Sequence, residues 1–157
     1  LAVAGAWLVP TLVVSRSADW MRANRFADWT IEKALAAAPR HLEGARAAVE
    51  AGVNIANGTD IPPGEHVDGT SAAVREAEHL VDAGLTAAQA LAASTIGGAR
   101  LCLREEMLGT IDVGKQADLI VMPGNPLEDI TALRGISMVI KRGDIVRNDT
   151  QGSRVHG

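Results

Sequence analysis

The chain holds one cysteine, one phenylalanine, three tryptophans and no tyrosine in 157 residues. Cys102 alone can neither close an internal disulfide nor build a thiolate metal site. A reducing, cytoplasmic setting suits it. Basic charge is not concentrated either: twelve arginines and three lysines are scattered among nineteen acids, for a net charge of −4. No basic patch interleaves with aromatics, so no nucleic-acid partner is expected. Long apolar runs are missing as well. Leu1 to Val14 is almost wholly apolar, but it is shorter than the roughly 18 residues of a membrane helix. It has no basic n-region and Pro10 interrupts it, so it reads as a buried strand with its flanks, not as a leader or a span. There is no HExxH, G-x-S-x-G, P-loop or paired-cysteine motif, no internal repeat and no low-complexity linker.

What is present centres on Ala51-Gly52-Val53-Asn54-Ile55-Ala56-Asn57-Gly58-Thr59-Asp60. Val53 to Ala56 reads as a short buried strand, with two β-branched residues. Gly52 before it is a helix stop. Gly58 lets the backbone approach something closely. Asp60 then lies just past the strand's carboxyl end, where parallel α/β sheets and barrels place their chemistry. The plain alternative for Asp60 is an ordinary turn aspartate. The sharper one is a metal-ligating or proton-transferring carboxylate.

The surroundings read as alternating strands and helices. Ala6 to Val9 is a strand, and Thr11 to Trp29 is a long connection carrying Trp20, Phe26 and Trp29. These aromatics are expected as packing anchors, with a pocket wall as the alternative. Thr30 to Ala38 is helical, and Pro39 is placed to open a second helix. That order, strand then helices then strand, predicts a parallel crossover. Ile61 to Gly69, rich in Pro and Gly, reads as a loop. Thr70 to Ala83 is a helix stopped by Gly84. Thr86 to Gln89 is a capping box, and Thr95 is placed to cap a short last helix to Leu103. From Gly109 the texture turns to short strands. Asp118 to Met122 is one, Asn125 to Glu128 is a single helical turn, and Ile136 to Arg147 is a hairpin around Arg142-Gly143. Gly114 is placed for a positive φ, and Asp118 and Lys115 read as structural. Thr150 to Gly157 reads as a polar tail.

The pair of Gly58-Thr59-Asp60 and Gly109-Thr110-Ile111-x-x-Gly114-Lys115-x-Ala117-Asp118-Leu119-Ile120-Val121 resembles the C-terminal part of the metal-dependent amidohydrolase superfamily. Its imidazolonepropionase-like and prolidase-like branch is most similar, and Gly5 to Leu12 resembles that branch's seventh barrel strand. The resemblance runs to about Asn148. It implies an α/β fold: the last strands and helices of a (β/α)8 barrel over 1–107, and part of a small composite β-sandwich over 108–157. A whole barrel needs roughly 250 residues. The chain, which starts at Leu1, is therefore expected to be the last part of a longer enzyme.

The resemblance further implies one or two divalent ions, zinc foremost, at the barrel mouth. Asp60 matches the family aspartate that follows the eighth strand. Its implied role is to contact the metal and to accept a proton from the attacking water. The other family ligands are histidines and a lysine or glutamate from earlier strands, and none has a match here. His41 and His79 fall inside helices and are expected to pack or be solvated; His156 is in the tail. His66, in the loop after Asp60, is the candidate substrate contact, with an idle loop histidine as its alternative. The implied substrates are small amides: dipeptides, N-acyl amino acids or cyclic amides. Oligomeric state stays open, a homo-oligomer included. The rival reading is a non-catalytic α/β module, since one carboxylate holds no catalytic metal and a two-strand piece leaves sheet edges bare.

Overall fold

The computed structural model describes residues 5–149. Strand β1 is Trp7–Leu8 and β2 is Asn54–Ile55. They pair in parallel, Trp7 opposite Asn54 and Leu8 opposite Ile55. The intervening chain makes a 3-10 turn at Val14–Arg16, helix α1 at Ala18–Ala23 and helix α2 at Asp28–Glu50. The crossover read from the sequence is therefore present, and Gly52 ends α2 with φ +69. No closed barrel forms among the described residues, and the two strands stand as a two-stranded sheet.

Pro39 does not open a second helix; it lies inside the continuous α2. A proline there removes one helical hydrogen bond and crowds the preceding turn. Pro39 and Leu35, whose carbonyl loses its donor, both lie on the exposed side of the helix. The buried face of α2, with Ile31, Ala38 and Ala45, carries the helix through.

The Ile61 to Gly69 loop contains a hairpin that the Pro/Gly reading missed. Strand β3, His66–Val67, pairs antiparallel with β4, Thr70–Ser71. Asp68 and Gly69 between them have φ +50 and +77, the double left-handed turn that Asp-Gly favours. Helix α3, Ala72–Asp82, starts at Ser71, whose hydroxyl accepts from Val74 N–H. Gly84 ends this run with φ +106.

Helix α4, Ala87–Ala92, opens on the expected capping box of Thr86 and Gln89. It runs without a break through a π turn at Ala93–Gly97 into α5, Gly98–Leu101. Thr95 therefore caps nothing; its hydroxyl donates back to the Leu91 carbonyl at 2.8 Å. Ala92 and Ala93 are good helix formers, and tertiary packing carries the helix past the weaker Gly97 and Gly98.

Strand β5 is Leu119–Val121, β6 is Met138–Lys141 and β7 is Asp144–Asn148, an antiparallel sheet in the order β5-β6-β7. The Arg142-Gly143 turn has φ +55 and +90, and Gly114 has φ +88. Asp118 ties this sheet together by accepting from Arg142 N–H at 2.8 Å and from Lys141. The Lys141 hydrogen bond, with that from Arg142, holds its carboxyl at about 2.

A 3-10 segment, Ile130–Gly135, carries Ile130 and Leu133 into the main core. They pack there with Val74, Ala77, Leu80, Leu85, Ala90 and Ala93. Arg134 of the same segment forks onto buried Glu78 of α3, with Nη2 to Oε2 at 2.7 Å. Burial pushes the Glu78 carboxyl up, but hydrogen bonds from Arg134 and Arg75 outweigh it and hold it below its usual range. Residues on both sides of position 108 thus share one core. The tail from Thr150 and the leading Leu1 to Ala4 lie outside the described residues.

Candidate active site

Asp60 follows β2 on the side toward which both parallel strands run. Four local features fix its backbone. Asn57 N–H donates to the Ala93 carbonyl at 3.0 Å. Gly58 lies so close to β1's end that an added Cβ would be 2.5 Å from Val9 Cγ1. Its small size is therefore needed for close approach, while the sharp turn itself falls on Asp60, with φ +55. Thr59 Oγ1 accepts from Ile61 N–H and donates to Ile61 O, both at 3.1 Å, clasping the residues on either side of Asp60. Ile61 is buried with Val13, Val67 and Ala72. Asp enters this left-handed region more readily than most non-glycine residues, so the chain makes its turn at Asp60 itself.

The Asp60 side chain is exposed and has no hydrogen-bond or ion-pair partner among the described residues. A free carboxylate of this kind is a hard oxygen donor suited to a divalent ion. No group of three or more His, Cys, Asp or Glu side chains able to hold a metal occurs among the described residues. The described residues do not by themselves make a complete metal site.

His66 is exposed on β3, and its Nδ1 hydrogen-bonds the Gly64 carbonyl at 3.1 Å, which leaves Nε2 to solvent. A cavity of about 250 Å³ beneath this loop is lined by Asn57, Gly58, Thr59, Ile61, Glu65 and Ser71, among others. Neither Asp60 nor His66 lines it. The two candidates are therefore not brought together in this cavity.

The aromatics divide by role. Trp20 packs on the Val13, Ile61, Val67 and Ala72 cluster, and its Nε1–H donates to Glu65 Oε2 at 3.1 Å. It joins the loop after β1 to the loop after β2. Phe26 sits against it at 5.7 Å between ring centroids. Trp29 is exposed, with Lys33 Nζ 5.3 Å from its ring centre. The helical histidines are partnered: His41 with Pro10 O and Ser15 Oγ, buried His79 with Asp82. Burial lowers the His79 pKa, against the pull of Asp82.

Sequence reasoning missed Glu76. It is fully buried on α3, and its two carboxylate oxygens accept from Leu12 N–H at 2.9 Å and Val13 N–H at 2.7 Å. Those donors lie in the loop directly after β1, where Thr11 has φ +52. Burial raises the Glu76 carboxyl to about 7, with the two backbone hydrogen bonds and Arg16 pulling the other way. The signal was a glutamate among Val74, Ala77 and Leu80 on the apolar face of α3.

No helix of the described residues is long and apolar enough to cross a membrane. Residues 1–146 match the amidohydrolase family. The chain is 34% identical over 108 residues to an imidazolonepropionase of Geobacillus kaustophilus (strain HTA426), covering 67% of this chain and 25% of that protein. Among solved structures, it resembles a Xaa-Pro dipeptidase with bound methionine in the active site. That match has a TM-score of 0.77 and 35% identity, over 92% of this chain and 35% of that one. It also resembles the ochratoxinase of A. niger, with a TM-score of 0.68 and 29% identity, over 92% of this chain and 32% of that one. The chain thus spans about a quarter of that curated relative and about a third of those solved chains. With the family match over nearly its whole length, the chain belongs to the amidohydrolase family.

Proposed function

We propose that this chain carries the catalytic aspartate of a metal-dependent hydrolase of carbon–nitrogen bonds in small amides. Dipeptides, N-acyl amino acids and cyclic amides are the substrate classes. The observation that carries the reading is Asp60: an exposed, unpartnered carboxylate held at φ +55 past the end of a parallel strand, in an amidohydrolase chain. A divalent ion, zinc in our reading, would activate water there at neutral pH. Asp60 would supply one ligand to it, and the other ligands would come from residues outside this chain. Asp60 would also take the proton from the attacking water and return it to the leaving nitrogen. His66, with Nε2 free, would hydrogen-bond a substrate carboxylate or carbonyl.

In this reading, residues 1–107 supply the last two strands of a (β/α)8 barrel, and 108–157 supply the C-terminal share of a β-sandwich. Support for the second part is the β5-β6-β7 sheet, with Ile120, Val121, Ile145 and Val146 exposed on it. A cytoplasmic location accords with the free, exposed Cys102. The test is metal analysis and a dipeptide-hydrolysis panel on the full-length gene product. We expect bound zinc or manganese and turnover; an intact upstream ligand set with neither would overturn the reading.

A further inference from the structure

Asn57 lies outside the Gly58-Thr59-Asp60 motif, yet it makes three hydrogen bonds from that loop to the rest of the molecule. Its side-chain Nδ2 donates to the Ala73 carbonyl at 2.9 Å and to Ser94 Oγ at 2.8 Å. Its backbone N–H donates to the Ala93 carbonyl at 3.0 Å. One residue thus ties the end of β2 to the first turn of α3 and to the π turn at Ala93–Gly97. The π turn has a local reason to be there. A widened turn disturbs the regular helical ladder and frees room for a donor from outside. Here the outside donor is Asn57 N–H, on Ala93 O. The same segment comes very close to β2: a Cβ on Gly97 would be 3.1 Å from the Ile55 carbonyl. Ser94 is itself oriented, since its hydroxyl donates to the Ala90 carbonyl at 2.8 Å and so turns its oxygen toward Asn57.

We infer that Asn57, seated on Ser94 and the π turn, is a positioning residue that sets where the Asp60 carboxylate points. This rests on the hydrolase reading of Asp60 given above. The chain of contacts is short. Asn57 fixes the base of the loop, Gly58 abuts Val9, Thr59 clasps Ile61, and Asp60 is left as the one polar side chain of the four-residue run 57–60 without a partner among the described residues. Loosening the base moves the carboxylate while leaving its chemistry intact. Small misplacements of a catalytic group cost rate steeply.

The experiment uses the full-length enzyme and the variants Asn57→Ala, Ser94→Ala, the double variant and Asp60→Asn. Metal content, thermal midpoint, kcat and KM on a hydrolysed dipeptide, and hydrogen exchange over residues 55–61 are measured. Asn57→Ala should keep its metal, lower kcat about ten- to a hundredfold with little change in KM, and speed exchange over the loop. Ser94→Ala, an exposed and mild change, should do the same to a smaller degree. The double variant should be close to Asn57→Ala and not the sum of the two losses, because both single changes break the same bond. Wild-type kcat and exchange in both single variants would overturn the positioning role, as would a loss confined to the thermal midpoint. Should Asn57→Ala fail to fold, Ser94→Ala decides by the same readouts. A wild-type kcat in Asp60→Asn would instead overturn the hydrolase reading together with this inference; an inactive Asp60→Asn beside unaffected Asn57 and Ser94 variants would overturn this inference alone.

Discussion

Glu76 Oε2 accepts from Val13 N–H at 2.7 Å, so a fully buried carboxylate of α3 holds the loop after β1. Val13 in turn packs with Ile61, the neighbour of Asp60. Burial raises the Glu76 carboxyl from 4.5 to about 7. A raised acid binds its proton more tightly in the folded state. Its contribution to stability is therefore complete below the unfolded value of 4.5 and is lost as pH climbs toward 7. The loss is on the order of 3 kcal/mol.

The full-length protein should accordingly lose stability through Glu76 as pH rises from 4.5 to about 7. Glu76→Gln should remove that dependence. Its amide group also faces a backbone donor, which costs roughly 1–3 kcal/mol. The variant should thus be less stable than wild type at pH 5, with the gap closing by pH 8. Thermal unfolding at the two pH values checks this; curves that fall in parallel would contradict it.

Arg134 and Glu78 fasten the 3-10 segment to α3, and Glu78 is buried. Arg134→Ala leaves that carboxylate with Arg75 alone. The variant should be destabilised by about 1.5–3 kcal/mol, the worth of hydrogen bonds to a charged group. Wild-type kcat at room temperature is expected, since the pair is distant in role from Asp60. Denaturant unfolding and steady-state kinetics on this variant test both halves.

His66→Ala should leave metal content unchanged and reduce kcat/KM about ten- to a hundredfold, the worth of a hydrogen bond to a charged group. Lost metal would make His66 a ligand. Unchanged kinetics would make it a plain hairpin residue of β3.

The 157-residue chain by itself should be inactive. Among the described residues, β1 and β2 pair only with each other, and such bare edges favour association. Sizing chromatography with an amidase panel tests this; a compact monomer with metal-dependent turnover would contradict it.

The sequence made the frame readable where one residue type has one job. Gly52 and Gly84 stop helices, Thr86 and Gln89 cap reciprocally, and Arg142-Gly143 turns a hairpin. It misled where tertiary packing outweighs local preference. Pro39 stays helical because it and Leu35, whose carbonyl it leaves without a donor, are on the exposed side while Ile31 and Ala45 remain buried. The π turn at Ala93–Gly97 exists for contact with Asn57 and Ile55, which no local pattern encodes. The Asp68-Gly69 hairpin was readable from its dipeptide but was hidden among prolines and glycines. Asp60 was singled out by its motif; the contacts that Asn57 and Thr59 make beside it, and the buried Glu76, needed the structure.

Asp60→Asn in the full-length enzyme tests the central claim most directly. The amide keeps the size of the side chain but cannot take a proton from water. We predict a loss in kcat on the order of 10²–10⁴-fold with little change in KM. A kcat near that of the wild-type enzyme would contradict the assignment of Asp60.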